Sequence, residues 1–344
     1  MQSILDRKRQ VILYGPPGTG KTYWARRAAL EMAARAVFKQ PLDALDVESR
    51  AALEGGGSAR AAAVRMCTFH PAYGYEDFME GYRPVAASIG GHLAFELRGG
   101  VFKRLCDDAR RQPELPFFLI VDEINRGDVP RIFGELLTVL ERDKRGRAVV
   151  LPLSGERFAV PDNVYVIGTM NTADRSIALL DTALRRRFGF IELMPDSQLL
   201  GAASVAGVPL GPWLNALNER ICQHLGRDAR NLQVGHAFLL EDGRSVADFR
   251  RFARILQDDI VPLLEEYCYE DFERLELVLG TGLVDRATRR IRHELFRPER
   301  QDDLVAALLS PDVVTSGQAV AAEAEAEEIS ADEMSDDAAG DSAS

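Results

Sequence analysis

Eight residues, Gly15-Pro16-Pro17-Gly18-Thr19-Gly20-Lys21-Thr22, fit the pattern GxxxxGK[ST] in full and constrain the fold more than any other feature of the chain. They follow an apolar run, Gln10-Val11-Ile12-Leu13-Tyr14, and precede a segment from Lys21 to Val37 that reads as a helix. A strand, a glycine-rich turn and a helix in that order let backbone N–H groups converge on phosphate oxygens. The helix N-terminus adds positive partial charge at the same place. Lys21 is placed to neutralise β- and γ-phosphates, and the Thr22 hydroxyl to ligate Mg²⁺.

Such a loop needs a carboxylate at the end of a neighbouring strand. Phe117-Phe118-Leu119-Ile120-Val121 followed by Asp122-Glu123 supplies one. Asp122 is expected to hold Mg²⁺ through water, and Glu123 to orient and deprotonate an attacking water. Having both acids points to hydrolysis over transfer to a substrate hydroxyl. A further buried strand, Val164–Gly168, leads into Met170-Asn171-Thr172-Ala173-Asp174-Arg175-Ser176, where Asn171 is the side chain chosen to reach the γ-phosphate and the water. An Asn in an ordinary turn is the plainer reading. Arg185-Arg186-Arg187-Phe188 ends a helical run from Ile177 to Leu184. Three adjacent arginines form a solvated basic patch or include a finger supplied to a neighbouring subunit's nucleotide.

Apolar strands alternate with helices through the first 200 residues, which indicates a parallel sheet covered on both faces. Strands are expected at Gln10–Gly15, Val64–Phe69, Phe117–Val121, Val164–Gly168 and Phe190–Leu193, and helices at Val101–Arg111 and Val129–Arg142. Residues 39–63 read as partly loop-like. Residues 70–100 suggest a short helix and a hairpin, and 148–160 a second hairpin. Helical periodicity dominates afterwards, as in Phe249, Phe252, Ile255, Leu256 and Ile260. The organisation read from this is a nucleotide-binding domain over 1–200, a helical domain over 201–310 and an acidic tail over 311–344.

The formal net charge is −11, and nine acidic residues with no Lys or Arg lie between Gly317 and Ser344. The remainder is near neutral, which excludes a strongly basic nucleic-acid domain as a reading of the whole chain. No stretch approaches the ~18 apolar residues of a membrane span, and the first residues carry no signal-peptide core. Four widely spaced cysteines without a CxxC pair suggest thiols in a reducing cytoplasm. The tail lacks aromatics and is expected to be disordered.

Longer strings narrow the field. Met170–Ser176 with Ile177-Ala178-Leu179-Leu180-Asp181-Thr182-Ala183-Leu184-Arg185-Arg186-Arg187-Phe188 resembles the McrB family of AAA+ proteins, the motor subunits of modification-dependent restriction systems. So do Thr68-Phe69-His70, Tyr75–Pro84, Val121–Gly127, Gln233-Val234-Gly235-His236-Ala237-Phe238 and Ile260–Tyr267. The resemblance covers about residues 5–285. It implies an α/β fold: an AAA+ P-loop NTPase with a parallel five-stranded αβα sandwich, strand order 5-1-4-3-2, and a C-terminal helical lid. It implies hexameric self-assembly with ATP or GTP at subunit interfaces, and a McrC-like nuclease partner. Arg186 or Arg187 then matches the trans-acting finger, Asp174 and Arg175 belong to the interface signature, and His236 lies where relatives carry a lid sensor that touches nucleotide. A structural lid histidine is the other reading.

The resemblance has two departures. Only about ten residues precede the first strand, so no N-terminal DNA-reading domain is expected and DNA would be reached only indirectly. The acidic tail is also not a family feature. The string Asn171-Thr172-Ala173-Asp174 superficially resembles a guanine-reading motif, yet the same segment already serves the γ-phosphate, so ATP and GTP both stay open. The alternative function is a MoxR-like ATPase that remodels protein complexes. Removing residues 311–344 is expected to leave melting temperature, assembly and turnover unchanged, because the tail has almost nothing apolar to bury. A loss of several degrees, or of assembly, in the shortened chain would show that the tail docks.

Overall fold

The computed structural model describes residues 1–55, 63–86, 93–173, 182–269 and 271–310. The expected disordered tail therefore lies outside the described residues, as do Asp174 and Arg175. The chain divides into two compact units. One comprises Met1–Gly15 with Gly20–Leu193. The other comprises Pro16–Thr19 with the residues from Met194 onward.

The first unit is built on five parallel strands: β1 (Gln10–Gly15), β2 (Val64–Thr68), β3 (Phe117–Asp122), β4 (Val164–Asn171) and β5 (Gly189–Glu192). Their order across the sheet is β2-β3-β4-β1-β5, the AAA+ order. Alternate side chains on each strand enter separate cores on the two faces, the two-residue period of a strand. Val11, Leu13, Phe118, Ile120 and Ile167 face a helix at Lys21–Val37, which meets them with Ala25, Ala29, Ala33 and Ala34. Ile12, Phe117, Leu119, Val121 and Val166 face the other way, onto Phe102, Leu105, Cys106 and Ala109 of the helix Val101–Arg111. A ring cluster of Phe69, Phe78, Phe102 and Phe133 extends that second core. Burial on both faces explains why the central strands β1, β3 and β4 are largely apolar runs.

Two hairpins leave the sheet. Glu80–Ala86 pairs with Leu93–Gly99, and Val149–Val150 with Arg157–Phe158. They are tied together by one buried carboxylate. Glu80 Oε1 accepts hydrogen bonds from Leu153 N (3.2 Å), Ser154 N (2.9 Å) and Ser154 Oγ (3.0 Å). Asn163 plays a similar part at the entry to β4, where its amide donates to the carbonyls of Ala109, Gln112 and Leu115.

Three elements differ from the sequence reading. The helix expected over Val129–Arg142 is α-helical only over Val129–Phe133 and continues as a 3₁₀ segment, Gly134–Thr138. Gly134 has φ +52°, and the ring of Tyr75 lies 3.2 Å from where a Cβ would be, so the chain turns where apolar periodicity suggested continuation. A helix at Val47–Leu53, capped by Asp46 accepting from Ser49 N, occupies part of the segment read as partly loop-like. β4 also runs three residues past Gly168, so Asn171 is the last strand residue and not part of the following turn.

The second unit is mainly helical, with helices Leu210–His224, Phe249–Ile255, Val261–Cys268, Phe272–Leu279 and Gln301–Leu308, and three two-residue β-pairs. A π-helical turn, Leu256–Ile260, joins two of these helices just before Pro262. Proline has no N–H to give an i→i−4 bond, and the wider turn absorbs that loss. Buried Asn218 brackets the peptide of Val234, donating to its carbonyl (2.9 Å) and accepting from its N–H (2.7 Å). This fixes the segment 233–239.

His236 sits in that segment, 4% exposed, with Nδ1 accepting from Asp196 N at 3.0 Å. Burial holds its pKa below the ordinary 6.5, and the nearby Asp196 carboxylate only partly opposes this. Protonation would charge a buried ring and occupy the nitrogen that accepts the bond. The unfolded chain takes up this proton near the ordinary pKa and the folded chain only at lower pH. Stability is therefore expected to fall as pH drops below about 6.5. Melting temperatures of the parent and His236→Gln, compared between about pH 7 and about pH 5.5, should show a steeper acid loss in the parent. Parallel curves would show that His236 titrates as an ordinary histidine.

Candidate nucleotide site

β1 ends in the phosphate loop because the loop starts where only glycine fits. A Cβ on Gly15 would lie 2.1 Å from the carbonyl oxygen of Leu193. Lys21 is 6% exposed, and its Nζ donates to Gly15 O at 3.1 Å. Burial lowers its pKa to about 8, while the charges of Glu123 and Asp122 pull it back up. The lysine is thus a desolvated cation with two acids near it, suited to phosphate. Within the second unit, Thr19 Oγ1 donates to Pro16 O (3.0 Å), Gly235 N to Pro17 O (3.0 Å) and Ala237 N to Gly18 O (2.8 Å). Loop residues 16–19 and the two neighbours of His236 are therefore joined by backbone hydrogen bonds. The His236 ring itself is engaged with Asp196.

β3 delivers the two acids. Asp122 Oδ1 accepts the hydroxyl protons of Thr22 (2.7 Å) and Thr169 (2.6 Å). Glu123 follows with φ 52° and ψ 46°, a left-handed conformation uncommon outside glycine. Its N–H is held by Thr169 Oγ1 at 3.2 Å. Its carboxylate accepts from Asn171 Nδ2 through Oε1, and Arg126 Nε lies 3.5 Å from Oε2. Asn171 is itself anchored, its carbonyl accepting from Asn125 Nδ2 at 3.3 Å. The structure thus brings Lys21, Thr22, Asp122, Glu123 and Asn171 together at the C-terminal edge of β1, β3 and β4, where open α/β sheets place their ligands.

The oxygen donors Thr22 and Asp122 suit a small hard cation that keeps most of its water and takes its other ligands from phosphates. Among the described residues there is no cluster of three or more His, Cys, Asp or Glu that could form a separate metal cage.

The arginines are distinguished by their surroundings. In the helix Thr182–Arg187, Arg185 and Arg186 are exposed, while Arg187 is largely buried with Nε 3.3 Å from Glu141 Oε1 of the same chain. The carbonyls at the end of this helix are taken up by residues next to and within β1. Lys8 Nζ donates to Arg186 O (2.9 Å) and Phe188 O (3.1 Å), and Gln10 Nε2 to Arg187 O (2.9 Å). Gln10 is in turn fixed by buried Arg145, whose Nη2 donates to Gln10 Oε1 at 3.0 Å. The sequence reading missed Thr169, Lys8, Gln10 and Arg145. For Thr169 a signal existed: it lies two residues before Asn171, on the same face of one strand.

Two family models match the chain: the AAA domain of the dynein-related subfamily over residues 61–188, and the McrB alpha-helical lid domain over residues 209–276. The type IV methyl-directed restriction enzyme EcoKMcrB subunit of Escherichia coli K12 is 37% identical over 291 residues, which are 79% of this chain and 57% of that protein. The type II restriction enzyme BsuMI component YdiS of Bacillus subtilis 168 is 26% identical over 216 residues, 53% of this chain and 56% of that one. The chain thus spans just over half the length of the curated relatives it matches. Among solved structures, PCH-2 of C. elegans aligns at 14% identity over 90% of this chain and 63% of its own, with a TM-score of 0.31. With a sheet in AAA+ order, a lid model specific to McrB and this degree of kinship to EcoKMcrB, the chain belongs to the McrB-like AAA+ nucleoside triphosphatases.

Proposed function

We propose that the chain is the ring-forming motor subunit of a McrBC-like restriction system, hydrolysing ATP or GTP with Mg²⁺ in the cytoplasm. The observation that carries the hydrolytic part is the pairing of Asp122 and Glu123 at the end of β3, with Thr22 on the first acid and Asn171 on the second. In this reading residues 15–22 cradle the phosphates, and Lys21 gains from them the counter-charge that its burial makes valuable. Thr22 and Asp122 hold Mg²⁺, which when bound offsets phosphate charge. Glu123 takes the proton of the attacking water, and Asn171 keeps the Glu123 carboxylate in place. His236 belongs to the lid segment that borders the loop, as a nucleotide-side residue or as a structural one. The domains are read as 1–200, 201–310 and a tail over 311–344.

The restriction role rests on the relatives, both of which bear names of restriction components. On that basis the partners are further copies of the chain in a hexamer and a McrC-like nuclease subunit. No helix among the described residues is long and apolar enough to cross a membrane.

Of the two finger candidates, the exposed Arg186 is favoured, because Arg187 already has Glu141 as an ion partner within its own chain. A finger supplied in trans is worth about 10³–10⁵ in rate. Lys21→Ala should lose nucleotide binding, and Glu123→Gln should bind normally but not turn over. Arg186→Ala should be inactive alone, and mixing it with Glu123→Gln should restore activity by pairing an intact Glu123 with an intact neighbouring Arg186. Turnover per subunit that is independent of protein concentration, together with an inactive mixture, would overturn the finger assignment. Equal turnover by Glu123→Gln and the parent would overturn Glu123 as the base.

A further inference from the structure

Thr169 has no role in the reading above, yet it touches both acids. It lies on β4 and is 2% exposed. A threonine hydroxyl has one proton to give and lone pairs to accept with. Here the proton goes to Asp122 Oδ1 (2.6 Å), a carboxylate oxygen that can only accept, and the oxygen takes the N–H of Glu123 (3.2 Å). The direction of both bonds is thereby fixed. Thr22 gives its own proton to the same Oδ1 (2.7 Å). Two hydroxyls on one oxygen fix the carboxylate of Asp122 and leave metal-bound water to Oδ2. Its partner on the other side, Glu123, sits in a left-handed conformation that side chains with a Cβ rarely adopt, so its peptide needs a fixed acceptor to stay there. A β-branched residue in a strand has a stiff χ1, which makes Thr169 a rigid post for both contacts.

We propose that Thr169 is a positioning residue for hydrolysis. It orients Asp122 toward the water shell of Mg²⁺ and locks the turn that aims Glu123. The inference rests on the reading of Asp122 as the metal carboxylate and Glu123 as the base.

The test uses the full chain, with Thr169→Val, which keeps the shape and removes the hydroxyl, and Thr169→Ser, which keeps the hydroxyl. A fluorescently labelled nucleoside triphosphate is titrated with and without MgCl₂, and kcat and KM are measured separately. Thr169→Val should keep the parent's Mg²⁺-free affinity but lose about tenfold or more of the tightening that Mg²⁺ brings. Its kcat should fall by about ten- to a hundredfold with KM little changed in Mg²⁺-saturated assays. Thr169→Ser should recover most of both. If Thr169→Val folds and matches the parent in Mg²⁺ tightening and kcat, or if Thr169→Ser is as impaired as Thr169→Val, the inference is overturned. Should Thr169→Val not fold, the inference stands or falls on Thr169→Ser retaining Mg²⁺ tightening. Asp122→Asn separates the two levels. Full Mg²⁺ tightening in that variant would overturn the reading of Asp122 itself, whatever Thr169 does.

Discussion

One carboxylate oxygen, Oδ1 of Asp122, accepts hydrogen bonds from the hydroxyls of Thr22 and Thr169. These residues belong to the helix after β1 and to β4, and Asp122 ends β3. Two neighbouring strands and the start of the helix that follows a third are therefore joined at the C-terminal edge of the sheet through a single acceptor. A half-buried carboxylate needs such donors to offset its desolvation. The donors need the strand order β3-β4-β1 to be within reach. Topology and chemistry depend on each other here. A sheet with another order would leave the half-buried acid and at least one hydroxyl without each other.

The apolar strands could be read in the sequence because burial on both faces demands runs such as Phe117–Val121, and the phosphate loop because its glycines, lysine and threonine are contiguous. What could not be read comes from residues far apart in the chain. Lys8 and Gln10 serve carbonyls nearly 180 positions away, and Thr169 serves Asp122 across 47 positions. No local pattern marks such pairs. The helix over Val129–Arg142 was misjudged for a different reason. Its apolar spacing is helical, but one glycine at positive φ turns the chain at position 134. Asn171 was singled out by its neighbours in the sequence, and its place on a strand depends on β4 pairing with β1 through Gly15↔Asn171, a tertiary fact.

The buried and half-buried polar residues outside the site follow a common logic. Arg145 is 8% exposed, and burial lowers its pKa to about 10. Its partners in the structure are carbonyls of Leu140, Pro161 and Val164, and the Gln10 amide. Glu80, Asn163 and Asn218 likewise bond to backbone groups of connections that lack a regular ladder. Each satisfies peptide groups that would otherwise be buried without partners, at a cost of about 1–3 kcal/mol apiece. These side chains replace secondary structure where the chain must turn beneath the surface.

The anchoring of the arginine helix on β1 has a mechanical consequence. Gln10, the first residue of β1, and Lys8, at the end of the helix Gln2–Lys8 before it, grip the carbonyls of Arg186, Arg187 and Phe188, and the C-terminal end of β1 opens directly into the phosphate loop. A six-residue strand is roughly 20 Å long and stiff along its axis. β1 is therefore a strut with a phosphate cradle at one end and an arginine mount at the other. If Arg186 serves a neighbouring nucleotide as proposed, a subunit's own occupancy and its reach toward the next one are set by opposite ends of the same rigid rod.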